Sequence, residues 1–235
     1  MQKLYILNKL HSRHPERNEA KRNTVEWIPH FNLTKLNIKN MENENFRKPI
    51  IGMNLPDLSV NIFYENKLED GVPLSKFKGK WLILFFYPAD FTFVCPTELV
   101  ELADKYEEFK NLNAEILSIS TDTSFAHKAW HDESPSIAKI QYPMGADPTG
   151  KLCKYLGTYL EDDGLSLRAT VIVDPEGFIK TYEIHDNSIG RSADELLRKL
   201  QAAIFVRENH GEVCPASWKP GKSTITPGVE LVGKI

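Results

Sequence analysis

A chain of 235 residues with 41% hydrophobic residues is long enough for one well-packed domain and too short for two large ones. Its net charge of −3 gives no general attraction to nucleic acid or anionic lipid, and no run of apolar residues is long enough to predict a transmembrane helix. We expect no secretory signal peptide, and the odd number of cysteines, three, argues against a structural disulfide framework. Redox or nucleophilic chemistry therefore stays open.

The beginning of the chain differs from the rest in composition. Residues 1–40 contain eight Lys and Arg against three acidic residues, as in a targeting presequence, but those acids, Glu16, Glu19 and Glu26, are unusual in such a segment. We therefore expect residues 1–48 to be a poorly ordered extension of a cytoplasmic protein. An organellar location is the alternative if residues 1–40 are a presequence.

From Pro49 onward, hydrophobic periodicity predicts strands and helices that alternate. The predicted strands span residues 81–87, 114–120, 167–173 and 178–184, and the predicted helices span residues 99–109, 123–132, 150–155 and 192–204. The turn before residue 178 predicts a hairpin, and Ser192 with Glu195 forms a capping box. The pattern indicates an α/β domain over residues 49–208, with a mixed sheet covered by helices on both faces and an extended C-terminal arm at 209–235.

One cysteine lies where the chain passes from a buried strand into a helix. At Cys95, free backbone N–H groups and the positive end of the helix dipole favour the thiolate. Thr92 can direct its hydroxyl at the sulfur or at a substrate oxygen, and Pro88 can shield the pocket from water. Taken alone, a single cysteine after an apolar strand is equally well explained as a buried structural residue.

Residues 88–98 read PADFTFVCPTE and contain the pattern P-x-x-x-T-x-x-C. This segment resembles the typical two-cysteine peroxiredoxins, and the resemblance extends over about residues 50–235, leaving residues 1–48 outside. The final residues, ELVGKI, are similar to the bacterial alkyl hydroperoxide reductase C branch of that family. Further matching segments are HKAW at 127–130, DPTG at 147–150, RAT at 168–170 and GEVCPASW at 211–218.

The resemblance implies a thioredoxin-like fold and a role for each matching residue. Cys95 corresponds to the peroxidatic cysteine, Thr92, Pro88 and Arg168 to the rest of its pocket, and Cys214 to a resolving cysteine supplied by a second subunit. The implied activity is reduction of hydrogen peroxide and organic hydroperoxides in antioxidant defence, through a sulfenic acid and an intersubunit disulfide. The resemblance implies no cofactor and no metal. It also implies a homodimer, and in this family the dimers often assemble into decamers. A flavoprotein disulfide reductase of the alkyl hydroperoxide reductase F type or a thioredoxin is the implied reductant.

Other residues receive simpler interpretations. Glu98 can hold an arginine in a bidentate pair. Cys153 is expected to be a partly buried apolar residue. His127 and His131 have a spacing that can bind zinc, but no third ligand is evident, so we expect no metal site.

Three alternative functions differ in plausibility. A dithiol oxidoreductase lacks support because no C-x-x-C motif is present, and a cysteine hydrolase lacks a histidine near Cys95 in the sequence. A ring-forming chaperone or scaffold remains possible as a secondary activity.

Overall fold

The structure is a computed structural model that describes residues 49–235. The expectations for residues 1–48 concern residues outside the described part of the chain. Within residues 49–235, no helix has both the length and the apolar character needed to cross a membrane.

A mixed sheet forms the centre of the fold. Within the described residues it has seven strands in the order β2-β1-β5-β4-β3-β8-β9. The strands β3, β4 and β5 run parallel to one another, and the remaining neighbours are antiparallel. Their bounds are β1 Ser59–Tyr64, β2 Lys67–Pro73, β3 Trp81–Phe86, β4 Ala114–Ser120, β5 Met144–Ala146, β8 Arg168–Val173 and β9 Ile179–His185, while β6 Tyr159–Leu160 and β7 Leu165–Ser166 form a separate small sheet.

Helices cover both faces of the sheet, as the sequence predicts. The helices are α1 Cys95–Asp104, α2 Tyr106–Asn111, α3 Ser124–Glu133, α4 Lys151–Leu156 and α5 Ala193–Glu208. All six side chains of β3 are buried: Ile83 and Phe85 pack with α1, α2, α3 and α5, whereas Leu82 and Leu84 pack with α4 on the opposite face. This pattern of a strand buried on both faces explains its uninterrupted apolar sequence.

The predicted strands and helices are confirmed at most positions, with two kinds of difference. The helix predicted over 99–109 is two helices, because Lys105 leaves helical geometry (φ −107°, ψ 4°) while Tyr106 and Phe109 stay buried. The strands β1, β2 and β5 are not predicted by the sequence pattern. The sequence of β2, KLEDGVP, is unfavourable for a strand. The strand forms because it pairs with β1 across a turn in which Glu65 and Asn66 both have positive φ.

The residues after α5 have little regular structure but make specific contacts. An isolated bridge joins Val213 to Ile225, and the Trp218 indole donates to the Lys222 carbonyl. The Trp218 ring also packs against Phe205 of α5, with 4.9 Å between ring centroids. The segment that contains Cys214 is thereby held against the last helix.

Candidate active site

Cys95 is the first residue of α1 and has no solvent-exposed surface. A loop that leaves β3 at Tyr87 leads to it, and Pro96 occupies the first turn of the helix, where a missing N–H costs no hydrogen bond. The carbonyl of Val94 accepts the backbone N–H of Thr97 and the Thr97 hydroxyl, which closes the first turn. The sulfur therefore lies beside the positive end of the helix dipole, as the sequence predicts.

Arg168 is the charged residue that contacts this sulfur. It begins β8, is 3% exposed, and places Nη1 3.4 Å from Cys95 Sγ. The same Nη1 donates to Glu98 Oε2 at 2.7 Å, and Nε donates to the carbonyl of Asn187 at 2.9 Å. These bonds fix the guanidinium over the cysteine.

A second arginine, Arg191, completes the site and is not identified by the sequence pattern. Its Nε and Nη2 donate to the two oxygens of Glu98 at 2.9 and 3.0 Å, which is the bidentate pair expected for Glu98 with an unspecified arginine. Its Nη1 donates to the carbonyl of Ala169, and its guanidinium lies 3.4 Å from the centroid of the Phe85 ring. The only sequence signal is its position directly before the capping box of α5.

The charges of this cluster place a positive potential beside the sulfur. Burial by itself raises the pKa of Glu98, but the hydrogen bonds and charge of Arg191, followed by the charge of Arg168, outweigh burial and leave that pKa below its ordinary value. Glu98 is therefore ionised at neutral pH. Because two guanidinium groups flank one carboxylate, a net positive charge remains next to Cys95.

The loop contributes Pro88 and Thr92 to the same region. Pro88 is buried and Thr92 is half-buried. The Thr92 hydroxyl donates to the carbonyl of Ala89 at 2.8 Å, so its proton serves the loop rather than the sulfur in this conformation. Its oxygen keeps lone pairs that can accept a hydrogen bond from a bound substrate.

The other two cysteines lie in different environments, and all three are free thiols. Cys153 is fully buried in α4, where burial, followed by the charge of Asp147, raises its pKa to about 12. Cys214 is half-buried, with Sγ 3.9 Å from the carbonyl of Ala202 in α5, and its pKa is raised chiefly by burial. The expectation that Cys153 is only partly buried understates its burial, because the residue lies fully inside the core.

The two histidines with zinc-binding spacing have separate surroundings. His127 is buried and contacts Asp90 and the carbonyl of Gly145, whereas the ring of His131 packs edge-on against Phe63. Within residues 49–235, no group of three or more His, Cys, Asp or Glu side chains is arranged to hold a metal ion.

Comparison with known protein families decides the identity of the chain. The AhpC/TSA family model matches residues 51–182, which is more than half of the chain, and the C-terminal domain of 1-Cys peroxiredoxin matches residues 204–232. The chain belongs to the AhpC/TSA family of peroxiredoxins. It is similar to 2-Cys peroxiredoxins of the alkyl hydroperoxide reductase C type.

Individual relatives support the assignment of this chain to the peroxiredoxins. It is 54% identical to alkyl hydroperoxide reductase C of Salmonella typhimurium over 67% of this chain and 84% of that protein. It is 45% identical to the Pseudomonas aeruginosa protein of the same name over 79% of this chain and 99% of that protein. The crystal structure of Enterococcus faecalis AhpC matches with a TM-score of 0.69 and 46% sequence identity, and the match covers 72% of this chain and 100% of that one. The crystal structure of reduced Plasmodium vivax 2-Cys peroxiredoxin matches with a TM-score of 0.74 and 33% identity, over 78% of this chain and 96% of that one.

These similarities confirm the thioredoxin-like fold expected from the sequence. The peroxiredoxin is a thiol peroxidase of antioxidant defence, and its substrates are peroxides. The dithiol oxidoreductase alternative has no structural support, since Glu98, which stands where a C-x-x-C motif would have its second cysteine, pairs with both arginines.

Proposed function

We propose that Cys95 is the peroxidatic cysteine of this enzyme and that it reduces hydrogen peroxide and organic hydroperoxides. The observation that carries the proposal is the contact of 3.4 Å between Arg168 Nη1 and Cys95 Sγ at the start of α1. Cys95 alone among the three cysteines combines a helix N-terminus with a buried guanidinium, the environment that activates a thiol for nucleophilic attack.

In the first step the Cys95 thiolate attacks one oxygen of the hydroperoxide in line with the O–O bond. An S–O bond forms as the O–O bond breaks, and the departing alkoxide or hydroxide takes a proton to become an alcohol or water. Cys95 is thereby oxidised to the sulfenic acid. Arg168 stabilises the negative charge that passes from the sulfur to the departing oxygen, and free N–H groups of α1 and the oxygen of Thr92 orient the substrate. Pro88 keeps water out of the pocket.

In the second step the sulfenic acid condenses with the thiol of Cys214 of the partner subunit, which yields a disulfide and one water. A disulfide requires Cα atoms within roughly 7 Å, and Cys95 is fully buried, so the first turn of α1 has to open. Cys214 lies in a segment with little regular structure, which suits a residue that must meet a second subunit. A flavoprotein disulfide reductase of the alkyl hydroperoxide reductase F type, or a thioredoxin, then reduces the disulfide by thiol exchange.

We also propose that the enzyme is a homodimer that assembles into a decamer. β9 is an edge strand of the sheet, the position at which a strand of a second copy can be added, although the N–H and carbonyl of Ile179 already bond to Met53 and Gly52. Near the active-site loop, Phe91, Phe93 and Phe125 are 60%, 93% and 72% exposed, an apolar surface that a further copy would cover. Such a ring could act secondarily as a chaperone or scaffold.

The test of this function is a single turnover without a reductant. Reduced protein is mixed with one equivalent of peroxide, and the remaining peroxide and free thiols are counted together. The proposed cycle predicts rapid loss of the peroxide with two thiols consumed per active site, whereas a protein that acts only as a scaffold consumes neither. Supplying each candidate reductant separately then identifies the electron donor, and sedimentation gives the oligomeric state.

Two further expectations stay predictions. Limited proteolysis tests the domain boundaries after residues 48 and 208, and cell fractionation tests the cytoplasmic location.

A further inference from the structure

Asp90 and His127 form a buried pair that joins the active-site loop to helix α3. Asp90 Oδ2 lies 2.8 Å from His127 Nδ1, and the two side chains are 1% and 0% exposed. His127 Nε2 lies 3.0 Å from the carbonyl of Gly145 in β5, and because a carbonyl only accepts, Nε2 carries a hydrogen. The contact between Oδ2 and Nδ1 is then a hydrogen bond that contains one shared proton. The loop is thus tied through His127 to both α3 and the sheet.

Oδ1 and the backbone N–H of Asp90 are also engaged. The Tyr87 hydroxyl donates to Oδ1 at 2.8 Å, and the backbone N–H donates to Asp122 Oδ2 at 2.9 Å. That carboxylate oxygen also accepts the hydroxyl of Ser120, the last residue of β4, at 2.7 Å. Asp90 is therefore the residue through which the loop is anchored to three parts of the core.

The residue after Asp90 shows why the loop needs this anchor. Phe91 has φ +53°, in the left-handed region that is unfavourable for a residue with a Cβ atom. Its ring packs against Trp130 of α3, with 5.9 Å between centroids. A left-handed residue persists where its surroundings hold it, and this turn directs the chain toward Thr92 and Cys95.

We propose that the Asp90–His127 pair is a positioning element that holds the loop in the conformation in which Cys95 reacts with peroxide. The proposal rests on the role of Cys95 proposed above. The same anchor opposes the opening of the first turn of α1 that disulfide formation requires. Weakening the pair therefore slows the peroxide step and leaves the disulfide step unchanged or faster, a split that a general loss of stability does not produce.

Two substitutions at position 127 separate the two hydrogen bonds of the imidazole. In His127→Asn the side-chain amide lies near the place of Nδ1 and can keep the bond to Asp90, whereas in His127→Gln it reaches the place of Nε2 and can keep only the bond to Gly145. Each variant loses one buried hydrogen bond and the ring, so the two are matched in cost. Stopped-flow tryptophan fluorescence measures the peroxide step, and acid quenching with mass spectrometry measures the disulfide step.

We expect His127→Gln to slow the peroxide step about tenfold or more, with the disulfide step as fast as in wild type or faster. We expect His127→Asn to stay within about threefold of wild type in both steps. If the Asn and Gln variants are equally slow, or if both steps slow in parallel, the proposal is wrong.

Substitution of Asp90 gives a second test on the loop itself, which does not depend on the fold tolerating a change at the buried His127. Asp90→Asn keeps an acceptor for the Tyr87 hydroxyl and a donor for His127 Nδ1, while Asp90→Ala removes both hydrogen bonds. The expected result is a peroxide step near wild type for Asn and slowed about tenfold or more for Ala. Equal rates for the two variants contradict the proposal. If wild-type protein consumes no peroxide, the proposed function itself is wrong. If wild type is active and Asp90→Ala and His127→Gln are as fast as wild type, only this inference is wrong.

Discussion

Glu98 accepts three hydrogen bonds from Arg191: the backbone N–H at 2.7 Å, Nε at 2.9 Å and Nη2 at 3.0 Å. The two residues are 93 positions apart in the chain, so this pair links the first turn of α1 to the segment that begins α5. Both side chains are less than 5% exposed. The pair thus belongs to the architecture of the core as well as to the active site.

The burial of this pair predicts a large stability effect. Glu98→Ala leaves two buried guanidinium groups without their carboxylate, and we expect the free energy of unfolding to fall by about 3–5 kcal/mol. The exposed pair of Glu195 with Arg198 has a similar bidentate geometry, with both bonds at 2.8 Å. Its disruption by Glu195→Ala should cost only about 0–1 kcal/mol. Urea unfolding of the reduced proteins, at one fixed protein concentration, measures both losses of stability. Equal losses would show that the buried pair stabilises the fold no more than the exposed pair does.

Stability should also depend on pH through Glu98. Its pKa in the folded protein is below the ordinary value of 4.5, so the folded state favours the ionised carboxylate. The resulting stability is fully present above about pH 4.5 and is lost as the pH falls through the folded pKa. We expect urea midpoints of wild type to decrease from pH 5 toward pH 3, with a shallower decrease in Glu98→Gln. Parallel pH profiles for the two proteins would exclude Glu98 as the source.

Substitution of single cysteines tests which thiol reacts with peroxide. Cys95→Ser should abolish peroxide consumption, because only Cys95 has a guanidinium and a helix N-terminus beside it. Cys153→Ser is the control and should keep nearly full activity, since that thiol is buried in α4 with its pKa raised to about 12. The reverse result, an inactive Cys153→Ser and an active Cys95→Ser, would refute the site.

The charge of Arg168 should contribute to the peroxide step. Arg168→Met keeps much of the side-chain length but removes the cation, and we expect the second-order rate constant with hydrogen peroxide to fall about 10²-fold or more. Lys76→Met removes an exposed cation that lies outside β9 and serves as the control for net charge. Stopped-flow rates for both variants decide the matter, and equal effects would mean that only the overall charge counts.

The intersubunit disulfide has a simple signature on gels. Oxidised wild-type protein should migrate as a covalent dimer on non-reducing denaturing gels, and Cys214→Ser should prevent this reducible cross-link. Oxidised wild type that migrates only as a monomer would indicate a bond within one chain instead.

The sequence predicts those features of the site that are local in the chain. The apolar run of β3 followed by Cys95 and Pro96 is enough to predict a cysteine at a helix N-terminus. The contact of Arg191 with Glu98 escapes prediction because it depends on how α1 and α5 meet on one face of the sheet. The sequence shows the spacing of His127 and His131, whereas the actual partner of His127, Asp90, lies 37 positions earlier. Long-range pairing of polar residues has no periodic signal in a single sequence.

The three thiols differ enough in their surroundings to act as separate reporters of structural opening. A labelling reagent at pH 8 meets a Cys153 thiolate population of about one in 10⁴, given a pKa of about 12, so this residue is modified essentially only after global unfolding. The half-buried Cys214 reacts earliest, and the fully buried Cys95 reacts at the frequency with which the first turn of α1 opens. One alkylation time course on native protein, resolved by peptide mass, therefore ranks tail, active-site and global openings in a single sample.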